Sequence, residues 1–360
     1  MSIFMDRHDI KGITASHVSE IHQADLRVQH KFGCRTLTYW FDEKSGLAFC
    51  LVDAPEKIAV VEMHKNAHGA VPHQIIEVNT NLVEAFLGRI ADPEPSAASA
   101  EPELVINESA IRTIMYIEFQ MDYFPRTGKS SNSFDVFNEY IHRTMEENGC
   151  RKIKDTDEGF IASFASEENA IKCAGGILKK IKEHNKQNPK AKIHAAAGIS
   201  IGAPVTEKED LFGEAIRQAK QLCYVAEEGE ILISSEMSGL RIDNEFVKSL
   251  KPDEEKFLYG LMEITDKNWN KINFRVDDYC KQIGVSKSQV YRKITSLTGR
   301  SPNEFIREFR LRKALRLIEK HNGNISEIAF ESGFSNPSYF TQCFRKRFGL
   351  LPSEFETYVT

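Results

Sequence analysis

Two stretches near the end of the sequence share one pattern. Residues 276–299 are VDDYCKQIGVSKSQVYRKITSLTG, and residues 325–349 are ISEIAFESGFSNPSYFTQCFRKRFG. Each stretch predicts a short amphipathic helix, a turn containing a glycine (Gly284 or Gly333), and a second helix with apolar positions at helical spacing. Two helices joined by a tight glycine turn are typical of a helix-turn-helix unit, so the sequence predicts two such units.

Local signals mark where the second helix of each unit begins. Ser286 and Gln289 have the spacing of a capping box, in which each side chain can bond to the other residue's backbone N–H. Asn336 is a favourable N-cap, and Pro337 suits the first helical position because its fixed φ matches a helix. The second of these helices is predicted over about residues 336–347.

A single long helix is predicted between the two units. Residues 301–320, SPNEFIREFRLRKALRLIEK, begin with a serine cap, a proline and a glutamate three residues after the cap. An apolar stripe at helical spacing follows and would face a core; it consists of Phe305, Phe309, Leu311, Ala314, Leu315 and Ile318.

Together with the final RKRFGLLPSEF, these motifs resemble the AraC/XylS family of transcription regulators over about 100 residues. The resemblance implies an all-α, seven-helix, double helix-turn-helix module over residues 257–360, with its two recognition helices in successive major-groove faces of double-stranded DNA. We expect contacts to bases to specify the sequence, and contacts from the basic residues to phosphates to position the protein and add salt-dependent affinity. The candidate contacts are Lys287, Ser288, Gln289, Arg292 and Lys293 in the first unit, and Ser338, Thr341, Gln342, Arg345, Lys346 and Arg347 in the second. The alternative for Arg345, Lys346 and Arg347 is a solvated, basic helix end that is favourable to the helix dipole and has no DNA contact.

The charge distribution agrees with an anionic partner for this region. The net charge of −5 hides an asymmetry, because residues 267–360 carry 17 Lys and Arg against 9 Asp and Glu, a balance of +8. The other residues carry 30 against 43, a balance of −13. Seven scattered cysteines without a CxxC motif favour reduced thiols, and there is no apolar run or leader typical of membrane or secreted proteins. We therefore expect a cytoplasmic protein without a membrane partner.

Two linkers divide the chain into three predicted domains. Residues 91–103, ADPEPSAASAEPE, are rich in proline, small residues and acids, and residues 241–256 carry charge runs and a proline. The domains would then be 1–90, 104–240 and 257–360, in a multidomain α+β protein.

In the middle domain, predicted strands alternate with helices, which indicates an α/β or α+β unit. The motifs RTIMYIE, DEGFIASF and EEGEILISS resemble the class III nucleotidyl cyclase domain over about 130 residues. That family holds two metal ions with two carboxylates, normally Asp; here Glu118 and Glu158 stand in those places, and Lys154 matches a base-reading position. The late helix has Arg217 and Gln221 where the family has its transition-state Asn and Arg. The resemblance thus implies an inactive dimerisation domain with a vestigial nucleotide site; a nucleotide sensor and an active cyclase are the alternatives.

Histidines are concentrated at the start of the chain. Seven of the eleven lie in the first 73 residues, and His64 and His68 would share one face of a helix over residues 55–68. With the strands and helices predicted around them, the segment would form a β-α-β-β-α-β ferredoxin-like sandwich. The predicted ligands of a transition metal, such as nickel, zinc or copper, are His8, His22, His64, His68 and His73.

The motifs MDRHD, TYWFDEKSGLAFCLVDAP and VPHQIIEV resemble a family of small histidine-rich proteins that includes a nickel binder, over about 80 residues. The alternative is a set of surface histidines without a ligand. The prediction is thus a sequence-specific, dimeric transcription regulator that is not an enzyme and responds to a metal ion or, less in keeping with the residues, a nucleotide. RNA polymerase is a further candidate partner. The alternative is an active adenylate or guanylate cyclase fused to a DNA-binding domain.

Overall fold

A computed structural model describes residues 2–93, 105–121, 131–156, 159–189, 192–207, 210–240, 244–320 and 323–359. The chain forms two compact units. The first comprises residues 1–116, 145–173 and 199–219, and the second comprises 117–144, 174–198 and 220–360. None of the helices described is long and apolar enough to cross a bilayer.

The start of the chain folds in the predicted element order. A four-stranded antiparallel sheet has the strand order β2-β3-β1-β4. The strands are β1 (Ser2–Asp9), β2 (Arg35–Asp42), β3 (Leu47–Ala54) and β4 (Gln74–Glu77), and the helices are α1 (Ala15–Val28), followed by a 3-10 helix over Gln29–Phe32, and α2 (Lys57–Ala67). Side chains including Tyr39, Val52 and Met63 form the core, which also takes in Ile106.

A helix that sequence analysis did not predict follows this sheet. Helix α3 (Thr80–Leu87) begins at Asn79, whose side chain accepts a hydrogen bond from the N–H of Asn81, and ends at Gly88 in the left-handed region. Its Phe86 ring stacks on Phe212 at 4.7 Å between centroids. The eight residues were short enough to escape a search for helical periodicity.

The middle region contains a six-stranded sheet of order β10-β9-β8-β5-β7-β6. Its strands are β5 (Arg112–Met121), β6 (Arg151–Thr156), β7 (Gly159–Phe164), β8 (Ile193–Gly202), β9 (Ile231–Ile233) and β10 (Val247–Ser249). The intervening helices are α4 (Ser131–Glu147), α5 (Glu167–Gln187) and α6 (Gly213–Val225). Strands alternate with helices as predicted, although α4 was not foreseen.

The described residues after β10 form seven helices: α7 (Pro252–Asn268), α8 (Val276–Ile283), α9 (Lys287–Thr298), α10 (Pro302–Glu319), α11 (Ile325–Glu331), α12 (Pro337–Phe348) and α13 (Pro352–Val359). Helix α7 begins inside the segment predicted as a linker over 241–256, with Pro252 at its start and Asp253, Glu254 and Glu255 in its first turn. A proline and acids there favour a helix N-terminus, so the charge run was a helix start rather than a linker.

Helix α10 contributes to two hydrophobic cores. Phe305 and Phe309 pack with α7, α8 and α9 residues, whereas Leu311, Ala314, Leu315 and Ile318 pack with residues of α11, α12 and α13. The predicted apolar stripe is therefore buried as expected, and one helix carries both helix-turn-helix units.

Candidate nucleic-acid and metal-ion sites

The turn between α8 and α9 fixes the geometry of the first helix-turn-helix unit. Gly284 ends α8 with φ 75°, a left-handed conformation that favours glycine. Ser286 and Gln289 then form the predicted capping box at the start of α9. Val290 and Ile294 are fully buried, so the opposite face of α9 points to solvent.

The exposed face of α9 holds some, but not all, of the predicted contacts. Ser288 and Arg292 are exposed, and Tyr291, which sequence reasoning did not select, is exposed beside them. The Gln289 side chain is occupied as a cap, because its Oε1 accepts hydrogen bonds from the N–H and hydroxyl of Ser286.

The two lysines predicted on this helix both have intramolecular neighbours. Lys287 Nζ lies 2.9 Å from Asp277 Oδ1, in an exposed ion pair that anionic DNA could displace. Lys293 Nζ lies over the Phe257 ring, 4.9 Å from its centroid. Lys287 is thus the more available of the two for a phosphate.

The second helix-turn-helix unit repeats this arrangement. Gly333 has φ 77°, and a Cβ there would approach the carbonyl oxygen of Trp269 to 2.7 Å, so glycine is required at this turn. Asn336 Oδ1 accepts hydrogen bonds from the N–H groups of Ser338 (2.8 Å) and Tyr339 (3.1 Å), which begins α12 as predicted.

The predicted aromatic repeat holds α12 on its core. Phe340, Phe344 and Phe348 are buried. The exposed face presents Ser338, Tyr339, Gln342, Arg345 and Lys346. Tyr339 was not predicted, although an aromatic residue between polar positions of a recognition helix could have been noticed.

Two residues predicted on α12 have internal partners. The hydroxyl of Thr341 donates to the carbonyl of Pro337, within the helix itself. Arg347 is only partly exposed, because its Nε donates to both carboxylate oxygens of Glu308, at 2.8 and 3.0 Å, and its Nη2 donates to Gln120 Oε1 at 3.1 Å. Arg347 is therefore committed within the protein, while Arg345 and Lys346 face solvent.

Arg312 of α10 joins the same group. Its Nη1 lies 3.3 Å from each carboxylate oxygen of Glu118, and its Nε donates to Glu308 at 3.1 Å. We call Glu118, Gln120, Glu308, Arg312 and Arg347 the arginine clasp. Although burial disfavours its charged form, Glu118 raises the pKa of Arg312 further above its ordinary value. Burial opposes ionisation of Glu308, but Arg312 and then Arg347 hold its pKa below the ordinary value.

The candidate nucleotide-site residues fall in unlike settings. Glu118 is engaged by Arg312, Lys154 is exposed on β6, and Glu158 lies outside the described residues. Of the two late-helix positions, Arg217 lies 4.0 Å from Glu214 and Gln221 is buried. A carboxylate already bound to a guanidinium is a poor metal ligand unless that pair opens.

Three of the predicted metal-binding histidines come together in the first unit. The His8 and His64 ring centroids are 5.0 Å apart, and those of His64 and His68 are 5.2 Å apart. His64 and His8 are buried, and His68 lies at the edge of the cluster. The predicted i, i+4 spacing thus places its pair in one site.

Carboxylates and a thiol that sequence reasoning missed complete this cluster. Asp6, His8, Cys50 and His64 form one group with ligand atoms within 4.8 Å of one another, and Asp25, His64 and His68 form a second. Asp6 lies two residues before His8 and therefore on the same face of β1, and it pairs with Cys50 across the sheet. That alternation was a usable signal for Asp6, whereas the approach of Asp25 depends on helix packing.

His64 lies between two carboxylates. Its Nε2 is 2.8 Å from Asp6 Oδ2 and its Nδ1 is 3.0 Å from Asp25 Oδ1. Although burial opposes the charged ring, Asp6 and Asp25 raise the pKa of His64 to about 10. A metal ion bound here would take the place of that proton, because metal ligands bind in deprotonated form.

Other atoms in the cluster have unused bonding capacity. His8 Nε2 lies 3.3 Å from Asp6 Oδ1 without hydrogen-bond geometry, and Asp25 Oδ2 has no hydrogen-bond partner among the described residues. Burial raises the pKa of Cys50 well above its ordinary value, as do Asp6 and Asp25, so its thiol is neutral until a metal lowers that pKa. Such orphaned, buried ligand atoms fit a metal ion, and a cavity of about 20 Å³ adjoins His8, Cys50 and His68.

Two predicted metal ligands are placed differently. His22 Nε2 lies 3.0 Å from Asp92 Oδ2, and its ring lies 4.8 Å from the Tyr39 ring, so it borders the cavity without joining either ligand group. His73 Nδ1 accepts a hydrogen bond from the Asp9 N–H at an exposed position.

Comparison with known families agrees with both sites. Residues 279–357 match the family described as a helix-turn-helix domain. The C-terminal region is a helix-turn-helix domain. Residues 4–78 match the family described as nickel responsive protein SCO4226-like. The predicted identities of the first and last domains are thereby confirmed.

Among curated relatives, histidine kinase P4 of Formosa agariphila is 37% identical over 103 residues, which cover 29% of this chain and 8% of that protein. The HTH-type transcriptional regulator ExsA of Pseudomonas aeruginosa is 36% identical over 80 residues, or 22% of this chain and 29% of that protein. This chain thus spans less than a third of the length of the first curated relatives it matches.

Solved structures resemble separate regions of the chain. SCO4226 from Streptomyces coelicolor is 36% identical and covers 21% of this chain and 95% of that one, with a TM-score of 0.21. An adenylate/guanylate cyclase/hydrolase from Silicibacter pomeroyi is 25% identical and covers 37% of this chain and 82% of that one, with a TM-score of 0.31.

Proposed function

We propose that this chain is a DNA-binding transcription regulator that acts in the cytoplasm on double-stranded operator DNA. The observation that carries the proposal is the pair of capped helices, α9 and α12, within the region that matches the helix-turn-helix family. Each helix buries an apolar face and presents polar and basic side chains to solvent. The DNA-binding domain would extend from α7 to α13.

The exposed side chains suggest how the contacts are divided. Ser288 on α9, and Ser338 and Gln342 on α12, are short or amide side chains suited to base edges. Arg292, Arg345 and Lys346 would neutralise phosphates and make the affinity depend on salt. Of the earlier candidates, Gln289, Thr341 and Arg347 have roles within the protein, so we assign them less of the DNA contact.

We propose that the first 90 residues or so bind a divalent transition-metal ion. The support is the buried cluster and the match to a nickel-responsive family. Asp6, His8, Cys50 and His64 would be one ligand set and Asp25, His64 and His68 the other; imidazole, carboxylate and thiolate suit nickel and zinc. Bound at this site, the ion would displace the His64 proton and, in the set with Cys50, the thiol proton as well.

The middle region would serve as a non-enzymatic scaffold over residues 104–240 that pairs two subunits. The support against catalysis is the arginine clasp, because Glu118 is held by Arg312, and Glu rather than Asp stands at this position. A nucleotide is accordingly not proposed as its cofactor. RNA polymerase remains a candidate partner of the DNA-bound protein.

Selection of genomic fragments with the full chain, followed by fluorescence anisotropy, would test DNA binding. We expect tighter binding to the selected fragment than to a scrambled one, and a loss of that preference in Ser338→Ala/Gln342→Ala. Equal binding to both fragments would contradict the proposal. Repeating the measurement with one equivalent of Ni²⁺ tests the metal response, with His30→Gln, an exposed histidine outside the cluster, as the matched control.

A further inference from the structure

A second site lies in a cavity of about 530 Å³ within the second unit. Its walls come from β5, β8 and α6 on one side and from α9, α10 and α12 on the other. That volume lies in the range of small-molecule sites. Its acidic and basic lining residues are Glu118, His194, Glu227, Glu228, Arg300, Arg312 and Arg347.

Most of these charges are already balanced. Arg312 lies 3.3 Å from Glu118, and Arg347 lies 2.8 Å from Glu308, which also accepts from Arg312. The two arginines and two glutamates of the arginine clasp therefore sum to zero.

The carboxylates on the other side of the cavity have partners that are separate from the arginine clasp. His194 Nδ1 is 2.8 Å from Glu228 Oε2, and Glu227 lies 4.0 Å from Lys248, whose Nζ is also 2.7 Å from Glu230. Each of these carboxylates therefore lies within 4.0 Å of a side-chain nitrogen, and that nitrogen does not belong to Arg300.

Arg300 is the exception. Among the residues that the structure describes, its guanidinium has no carboxylate within 4.0 Å and no hydrogen bond, although its backbone N–H donates to Thr298 Oγ1. It follows Gly299, the left-handed residue that ends α9, so a turn rather than a helix positions it. It lines the same cavity as Arg312 and Arg347 of the arginine clasp.

We propose that this cavity binds a small multivalent oxyanion, a phosphate or carboxylate compound, through Arg300 with Arg347. Guanidinium forks match the geometry of such oxygens, and a partly buried unpaired arginine is stabilised by one. Arg347 can contribute because its bond to Gln120 is to a neutral acceptor that an anion would outcompete. The site differs from the DNA surface, where Arg345 and Lys346 are exposed.

The proposal has a regulatory consequence, which rests on the proposed function. Arg347 belongs to α12 and Gln120 to β5, so an anion that draws Arg347 away from Gln120 removes one restraint on the recognition helix. DNA affinity would then change with the anion bound.

Calorimetric titration of the full chain, without DNA and at constant ionic strength, would test the site with two probes, inorganic pyrophosphate and citrate. We expect one site per chain for at least one probe, and the choice between them tells phosphate from carboxylate. Arg300→Gln should weaken binding about tenfold or more, and Arg300→Lys less, because lysine keeps the charge but not the fork. The matched control is Arg307→Gln, a partly exposed α10 arginine 3.9 Å from Glu304, which should bind as the parent does.

Three results would overturn the proposal: no saturable binding of either probe, equal binding by Arg300→Gln, or loss of binding in Arg345→Gln/Lys346→Gln instead. The last result would place the anion on the DNA surface. Thermal unfolding of each variant shows whether it is folded. Because the titration contains no DNA, its outcome is independent of whether the chain proves to be a regulator.

Discussion

Arg312 of α10 lies with its Nη1 3.3 Å from both carboxylate oxygens of Glu118 on β5. Glu118, which the sequence predicts as a vestigial metal ligand, is thus joined to the helix that carries both helix-turn-helix units. Tyr224 stacks on the same guanidinium, with Arg312 Cζ 4.5 Å from the ring centroid, which shields the pair from water.

Replacing Glu118 with glutamine should destabilise the second unit. The pair is 18% exposed on each side, intermediate between a surface and a buried ion pair, so Glu118→Gln should lower the free energy of unfolding by about 1–3 kcal/mol. Urea denaturation measures the loss. Glu168→Gln, which breaks the exposed pair with Lys172, is the control and should have no measurable effect; equal stability of the two variants would contradict the prediction.

Removing the cap of α12 should weaken its first turn. Asn336→Ala leaves the N–H groups of Ser338 and Tyr339 without their acceptor and should cost about 1 kcal/mol. Asn336→Ser keeps an acceptor and should retain most of the stability. Hydrogen exchange of the Ser338 and Tyr339 amides reports the effect directly. Unchanged protection in the alanine variant would show that the cap is dispensable.

Arg345 should contribute a phosphate contact. Arg345→Gln should weaken binding to specific and nonspecific DNA alike and reduce the slope of log affinity against log salt by about 1. Anisotropy titrations over a range of potassium chloride concentrations measure the slope. Arg307→Gln, on α10, should leave it unchanged. A loss confined to the specific fragment would instead assign Arg345 to base recognition.

The metal cluster can be divided by two substitutions. Cys50→Ala removes a ligand only from the group with Asp6 and His8, whereas His68→Gln affects only the group with Asp25. The variant that loses a true ligand should bind Ni²⁺ more weakly by at least tenfold, since even outer partners of metal ligands are worth about 10–100-fold. Competitive titration with a chromophoric chelator measures both affinities.

His30→Gln serves as the control for those titrations because His30 is exposed on the 3-10 helix outside both groups. Parent-like affinity in Cys50→Ala and in His68→Gln would mean that neither group holds the ion. Both substitutions are milder than His64→Ala, which would leave Asp6 and Asp25 buried beside a cavity.

Local signals were the ones that sequence analysis could use. The caps at Ser286, Ser301 and Asn336 and the i, i+4 pair of His64 and His68 depend on residues within one helical turn. Contacts across the chain were not accessible in this way. Arg347 meets Glu308 and Gln120 from 39 and 227 residues away, which is why a predicted phosphate contact proved to have internal partners.

The metal cluster shows the same limit. Strand alternation could have indicated Asp6, but Cys50 joins through strand register and Asp25 through helix packing. Conversely, His22 and His73 were grouped with the others by composition, and the fold gives them Asp92 and Asp9 as partners. The start of the last domain was hard to predict because the acidic first turn of helix α7 resembles a charged linker.

Glu308 accepts hydrogen bonds from Arg312 of its own helix and from Arg347 of α12, so α10 and α12 are fixed to each other by charge as well as by packing. The 18 residues of α10 form a rod of about 27 Å between the two helix-turn-helix units. A DNA-binding domain built on such a rigid helix cannot change the distance between its two recognition helices. Each base pair inserted between the two halves of an operator rotates one half about the DNA axis by about 34–36°, away from its recognition helix. The spacing between the two halves should therefore be as strictly selected as their base sequence.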